Sequence, residues 1–118
     1  MATIELTESS FEQTITDNDI VLVDFWAAWC GPCRMFAPIF QDAAEQHPDV
    51  VFGKVDTEAE QGLAGAAGIT SIPTLMAFKD QILVFSQPGA LNAPQLAEVI
   101  DAVKNLDMDV VREKIAAQ

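Results

Sequence analysis

Ile20, Val21, Leu22, Val23, Asp24, Phe25 and Trp26 form a nearly unbroken apolar run with one acid embedded in it. β-Branched and aromatic residues in so short a run describe a central strand covered on both faces. A second run of the same kind spans residues 50–55. Between them Phe36, Ile39, Phe40, Ala43 and Ala44 recur at helical spacing over residues 32–46, and His47-Pro48-Asp49 ends that helix. Strand, helix and strand make a βαβ unit, joined by a right-handed crossover. Pro38 lies inside the helical stretch, where it removes the hydrogen bond to the Arg34 carbonyl and should bend the helix.

The flanking segments extend this alternation. Residues 3–6 read as a short strand, and Ser9 and Glu12 stand at capping-box spacing before a helix that carries Phe11 and Ile15 on one face. A helix over 58–67 is weak, because Gly62 and Gly65 each cost about 1 kcal/mol relative to alanine. Residues 74–78 and 82–85 are strands separated only by Lys79, Asp80 and Gln81. That link is too short for a parallel crossover, so the pair is a hairpin and the sheet is mixed. Asn92, with Gln95 three residues on, caps a further helix whose Leu96, Val99, Ile100, Val103 and Leu106 keep the 3.6-residue period. In the tail, 107–118, Asp107 or Asp109 can cap a helix with Met108, Val111 and Ile115 on one stripe. A short packed helix and a frayed extension are equally compatible with so short a segment.

Composition narrows the picture. The chain has 118 residues, half of them hydrophobic, enough for one domain whose core needs no staples. A formal charge of -12 argues against binding a phosphate backbone, so nucleic acid is not an expected partner, and any steering favours basic surfaces. Residues 1–16 carry acids instead of a basic leader and have no apolar signal core, which points to a cytoplasmic protein, although an exported chain trimmed of its signal would read the same. No run approaches the roughly 18 apolar residues of a membrane span, and no internal repeat is visible.

Candidate chemistry begins with the only two cysteines, Cys30 and Cys33, separated by Gly31-Pro32 at the end of the first apolar run. If Cys30 starts the helix and Cys33 lies in its first turn, unpaired N–H groups and the positive dipole end favour a thiolate. Pro32 suits that position, which has no intrahelical use for its missing N–H. A structural disulfide over so short a loop adds little stability, and a zinc site wants about four ligands where His47 is the only other soft one. Two inert core cysteines are the remaining alternative. Asp24, desolvated within its strand, should have a raised pKa and so be able to take a proton near neutrality, or else it bonds backbone or pairs statically with Lys54. Ile72-Pro73, taken alone, says only that the chain turns.

The segment from Val23 to Met35, the helix proline Pro38, Lys54 with Val55-Asp56, Ser71-Ile72-Pro73-Thr74 and Gly89-Ala90-Leu91 resembles the thioredoxin family, in the same order. The likeness covers residues 3–106. It implies a thioredoxin-like three-layer α/β fold, a mixed five-stranded sheet with helices on both faces, over a domain at 1–106; the extension at 107–118, expected to be helical from its own stripe, lies beyond the family's usual end. It also implies a protein-disulfide reductase without cofactor or metal, a monomer recharged by a thioredoxin reductase and acting on disulfide-containing target proteins. In that family Cys30 would attack, Cys33 would resolve, and Asp24 would exchange a proton beside Cys33 with Lys54 as its buried partner. The dipole gradient agrees, and Cys33, one turn in, should be the more shielded thiol. A cis Ile72-Pro73 bond would lie beside the cysteines, and Trp29, Gly31, Pro32, Ile72, Pro73, Gly89 and Ala90 would form a flat docking surface; Trp26 is assigned to the core. The same fold poised as an oxidant or isomerase in an exported compartment, and a noncatalytic subunit that clamps a partner, are the alternatives.

Three positions depart from the family pattern. Asp80-Gln81 stands where Asn-Gly is usual, and a two-residue type I′ turn would force Gln81 to positive φ, so a different or longer loop is expected. Ala67 replaces a common aromatic and thins the packing above the weak third helix. Pro88 removes an N–H just before Gly89.

Overall fold

In a computed structural model that describes residues 2–118, the chain runs β1 (Thr3–Glu5), α1 (Phe11–Asp17), β2 (Ile20–Trp26), α2 (Gly31–Gln46), β3 (Val51–Asp56), α3 (Gln61–Ala66), β4 (Thr74–Lys79), β5 (Ile82–Pro88), α4 (Ala93–Lys104) and α5 (Met108–Ala116). The strands form one sheet in the order β1-β3-β2-β4-β5. β2 is parallel to β3 on one side and antiparallel to β4 on the other, so the sheet is mixed. Residues 21–25 are all buried, as their unbroken apolarity requires. Among the described residues no helix is long and apolar enough to cross a membrane.

Strand alternation sorts the core into two layers. Leu22 and Phe52 face one side, where α2 and α4 supply Phe36, Phe40, Leu96, Ile100 and Val103. Val21, Val23, Phe25 and Val55 face the other, against Leu6, Ile15 and Met76, with Phe11 of α1 and Leu63 of α3 at its rim. Helices therefore cover both faces. α2 runs as one helix through Pro38; Arg34 and Pro38 are both exposed, so the carbonyl left without its N–H lies on the solvated side. The capping box of α4 is formed in both directions, Gln95 N–H to Asn92 Oδ1 at 2.9 Å and Asn92 N–H to Gln95 Oε1 at 3.0 Å.

Three local expectations are corrected. The Ser9–Glu12 box does not form: Ser10 holds the N-cap position of α1, and its hydroxyl turns back to accept the Thr7 N–H at 3.0 Å within the preceding turn. α3 is shorter than 58–67, because Asp56 Oδ1 accepts the N–H groups of Glu58 and Ala59 and holds them in a turn. The hairpin loop is the two-residue turn after all. Lys79 pairs with Ile82, and Asp80 and Gln81 take φ of 52° and 69°. Positive φ at both positions gives the turn the handedness that matches strand twist. Tertiary contacts offset its cost: the Asp80 N–H donates to Asp19 O at 2.9 Å, and Arg112 reaches Asp80 Oδ2 at 3.3 Å.

The departure at Ala67 has a visible consequence, and β5 carries an irregularity of its own. Beside Ala67, Phe11, Leu63, Met76, Phe78 and Leu83 line a surface cavity of about 310 Å³, the gap an aromatic would occupy. Opposite the Ala77/Phe78 step β5 carries an extra residue, so Val84 and Phe85 both pack against the α2–α4 layer.

The end of the molecule where α4 stops is tied by cations. Lys79 Nζ donates to the carbonyls of Val103, Lys104 and Leu106 at 2.8, 2.9 and 3.0 Å, which closes the C-terminus of α4. Lys104 donates to His47 Nδ1 at 2.8 Å and pairs with Asp49 at 2.9 Å. Asp107 caps α5 by accepting the Asp109 N–H at 3.0 Å. Of the stripe on α5, Met108 is buried, Val111 is half-buried and Ile115 is exposed.

These contacts generate two expectations. Lys79→Met removes the ammonium shared by three carbonyls, of which Val103 O keeps the Leu106 N–H, and should lower stability by about 1–3 kcal/mol, read from the urea midpoint. Deleting 107–118 removes the burial of Met108 and should cost about 1.5–3 kcal/mol, with the rate of thiol alkylation in the reduced protein unchanged; a truncated chain as stable as the full one would show that α5 contributes no packing.

Candidate active site

β2 ends at Trp26, and beyond a short turn Cys30 occupies the N-cap of α2, with extended backbone (φ -87°, ψ 115°). Its N–H donates to Ala27 O at 3.2 Å, which closes the intervening turn. Gly31 and Pro32 begin the helix, so Cys33 comes one turn inward, and the two cysteines are joined as a disulfide with Cα atoms 5.2 Å apart. The Cys33 N–H, one of the four that the first turn leaves free, donates to Cys30 Sγ at 3.2 Å. Cys30 Sγ also lies 3.7 Å from the carbonyl oxygen of Ile72.

The Ile72-Pro73 peptide is cis. Ile72 packs with Ala27, Cys30, Cys33 and Trp26 in one small cluster. The Gly89 N–H donates to Pro73 O at 2.7 Å, and Gly89 has φ of 100°, a conformation that favours glycine. Cys30, Ile72, Pro73 and Gly89 are thus linked by direct contacts, although Pro73 is itself buried and presents backbone more than ring. Trp29, Pro32, Gly89 and Ala90 are exposed around them, and Gly31 is half-buried. At 66% exposure Trp29 is no core aromatic; its indole Nε1 donates to Glu58 Oε1 at 3.2 Å.

Asp24 shares the face of Leu22, and strand register sets it directly beside Lys54. It is fully buried, and neither carboxyl oxygen has a hydrogen-bond partner. Desolvation raises its pKa to about 7, against the opposing pull of Lys54. A cavity of about 100 Å³ has Trp26, Cys33, Arg34 and Lys54 in its wall, so that Lys54 and the inner cysteine border one space.

Three expectations need correction here. Cys30 and Cys33 are almost equally covered, 4% and 3% exposed, since the disulfide draws both sulfurs into the same cluster. Lys54 is half-buried and forms no ion pair with Asp24; its Nζ sits 5.0 Å from the centroid of the Trp26 ring. That cation–π contact holds the ammonium toward the cavity side of the sheet. Trp26 is half-buried beside the cysteine cluster, with Nε1 unpartnered, and so belongs to the rim of the site and not to the main core.

Two residues without a role in the sequence reading also enter. Arg34 Nη1 donates to Ala28 O at 2.8 Å and pins the loop that carries Trp29. Glu58 meets Trp29 across 29 positions of sequence, a pairing that no local pattern announces. Among the described residues no three His, Cys, Asp or Glu side chains are grouped as ligands for a metal.

Comparison with known proteins gives the same arrangement a family. The Thioredoxin family model matches residues 2–102. The putative thioredoxin 2 of Streptomyces coelicolor is 57% identical over 117 residues, covering 99% of this chain and 87% of that protein. The thioredoxin of Alicyclobacillus acidocaldarius is 44% identical over 104 residues, covering 84% of this chain and 99% of its own. Among solved structures, a mutant thioredoxin from Halobacterium salinarum NRC-1 superposes with a TM-score of 0.82 at 33% identity, over 90% of this chain and 95% of that one. With a redox-active cysteine pair seated at a helix start on this fold, the chain belongs to the thioredoxin family and is a thiol–disulfide oxidoreductase that reduces protein disulfides.

Proposed function

We propose that Cys30 is the attacking thiol and Cys33 the resolving one. The observation that carries this order is the N–H of Cys33 aimed at Cys30 Sγ: in the reduced protein it would stabilise a thiolate on Cys30. That thiolate attacks one sulfur of a target disulfide, forms a mixed disulfide and expels the other target sulfur as a thiolate. Cys33, as thiolate, then attacks Cys30 Sγ. The Cys30–Cys33 bond forms, the bond to the target breaks, and two electrons have passed to the target as two thiols.

Asp24 takes the proton that Cys33 loses in the second step. Its place on the α2 side of the sheet and its pKa near neutrality support this role, since an acceptor works best when its pKa lies near the working pH. Lys54, across the register from Asp24 and bordering the cavity beside Cys33, favours the charged form of the carboxyl group, the form that can accept the proton. Trp29, Gly31, Pro32, Ile72, Pro73, Gly89 and Ala90 form the docking surface, on which the Ile72 backbone beside Cys30 meets the target chain.

The protein works as a monomer in the cytoplasm, and a thioredoxin reductase returns the disulfide to the dithiol. Residues 1–106 make the catalytic domain, and 107–118 add a helix that tunes stability. The Gly-Pro pair between the cysteines, resembling reducing members of the family, and the likeness to bacterial thioredoxins support this setting.

Two experiments test the assignments. Cys33→Ser should accumulate a stable mixed disulfide with target proteins through Cys30, while Cys30→Ser should trap little; equal trapping would reverse or dissolve the order. For Asp24, folding favours the protonated form, so its contribution is complete below the unfolded pKa of 3.8 and is lost as the pH rises through about 7. Asp24→Asn should therefore match the wild type near pH 4 and exceed its stability by a few kcal/mol at about pH 8. The same variant should lose the step near pH 7 in the rate at which the mixed disulfide resolves, and a profile identical to wild type would leave Asp24 a structural role only.

A further inference from the structure

We propose that Glu58, with the face of Trp29, forms a cation-accepting corner that makes this reductase prefer disulfides flanked by lysine or arginine. The proposal rests on the docking surface assigned above and names a determinant of substrate choice within it. A groove of about 350 Å³ starts at Ile72, whose carbonyl lies 3.7 Å from Cys30 Sγ, and runs between Trp29 and α3. A peptide engaged at the disulfide therefore has its neighbouring residues beside this groove. The lining is mostly apolar or neutral, and Glu58 is its only ionisable residue.

The carboxylate is held and yet open. Asp56 Oδ1 accepts the Glu58 N–H at 2.9 Å, and the Glu58 carbonyl accepts from Gln61 Nε2 at 3.2 Å, so the backbone beneath it is fixed. One oxygen, Oε1, accepts the Trp29 indole N–H, which ties the carboxylate to the edge of that ring. A carboxylate offers about four acceptor sites, and Glu58 forms no ion pair among the described residues. Arg34, the cation next to the cysteines in sequence, is turned to the Ala28 carbonyl and leaves Glu58 uncompensated.

Trp29 supplies the second half of the corner. Its ring is 66% exposed, and an indole face attracts a cation by its quadrupole while the carboxylate attracts it by charge. A lysine or guanidinium from the target meets both at once. A glutamate at the same place meets like charge and an electron-rich face. Discrimination thus comes from one fixed group near the reacting sulfur, separately from the field of the whole chain.

The test compares reduction rates of paired model peptides, disulfide-linked and otherwise identical, that carry lysine or glutamate two residues before or two residues after the reacting cysteine. The reduced full-length protein is used in single turnover at low ionic strength, and the quantity read is the lysine-to-glutamate rate ratio. We expect a ratio of roughly three to ten on at least one side of the cysteine, shrinking as salt is added. Glu58→Gln, which keeps an oxygen for the Trp29 N–H, should bring that ratio close to one, and Glu58→Lys should invert it. A wild-type ratio near one overturns the proposal. So does a ratio that survives Glu58→Gln, which would assign the preference to the net charge of the molecule. If neither peptide is reduced by the wild type, the reductase mechanism itself fails, and the preference with it.

Discussion

Burial of β2 on both faces is the constraint from which the site follows. A strand packed between two layers of helices can present chemistry to solvent only where it ends, and β2 ends at Trp26, a short turn before Cys30. The turn closed by the Cys30 N–H hands the chain directly to α2, so the polar end of a helix is fixed against the end of the most deeply buried strand. The cysteines inherit both properties. They sit on a support that cannot shift without disrupting the core, and they lie among N–H groups that no helical carbonyl uses.

The same burial makes Asp24 consequential. A carboxylate in the middle of a doubly covered strand destabilises the fold whenever it is charged, and neither Lys54 nor a hydrogen bond removes that cost. Lys54 is held by the Trp26 ring instead of closing an ion pair. A tight pair would stabilise the carboxylate and lower its pKa away from neutrality. Keeping the cation near but unpaired leaves Asp24 able to change its protonation state near neutral pH.

Much of this was legible in the sequence because it depends on local patterns. The apolar run of β2, the helical spacing from Phe36 to Ala44, the Asn92–Gln95 box and the two cysteines each carry their own signature. What escaped depends on contacts between distant segments, or on a choice between close neighbours. Ser10 prefers the turn before it to the helix after it, a choice between two neighbouring donors that spacing does not decide. The tight turn at Asp80-Gln81 is unfavourable by residue type, yet Asp19 and Arg112, brought in from the end of α1 and from α5, support it. Lys54 reads as the buried partner of Asp24 from the family resemblance, and only the position of Trp26 shows where its ammonium goes. Glu58 has no sequence signal at all, since its meaning lies in the indole across from it.

Most cations of this chain are engaged by its own groups. Against 18 acids there are 6 lysines and arginines. Arg34 is bound to a carbonyl, Lys54 to a ring, Lys79 to three carbonyls, Lys104 to His47 and Asp49, and Arg112 to Asp80 and Asp109. Only Lys114 lacks such a contact among the described residues. With three acids to every cation and a formal net charge of -12, the surface is predominantly negative. Copies of the protein repel each other over roughly a Debye length, about 10 Å at 0.1 M salt. Crowded solutions of it should stay dispersed at low ionic strength and lose that protection as salt is added, a colloidal property set by the excess of acids and by the pairing of most of the few cations within the chain.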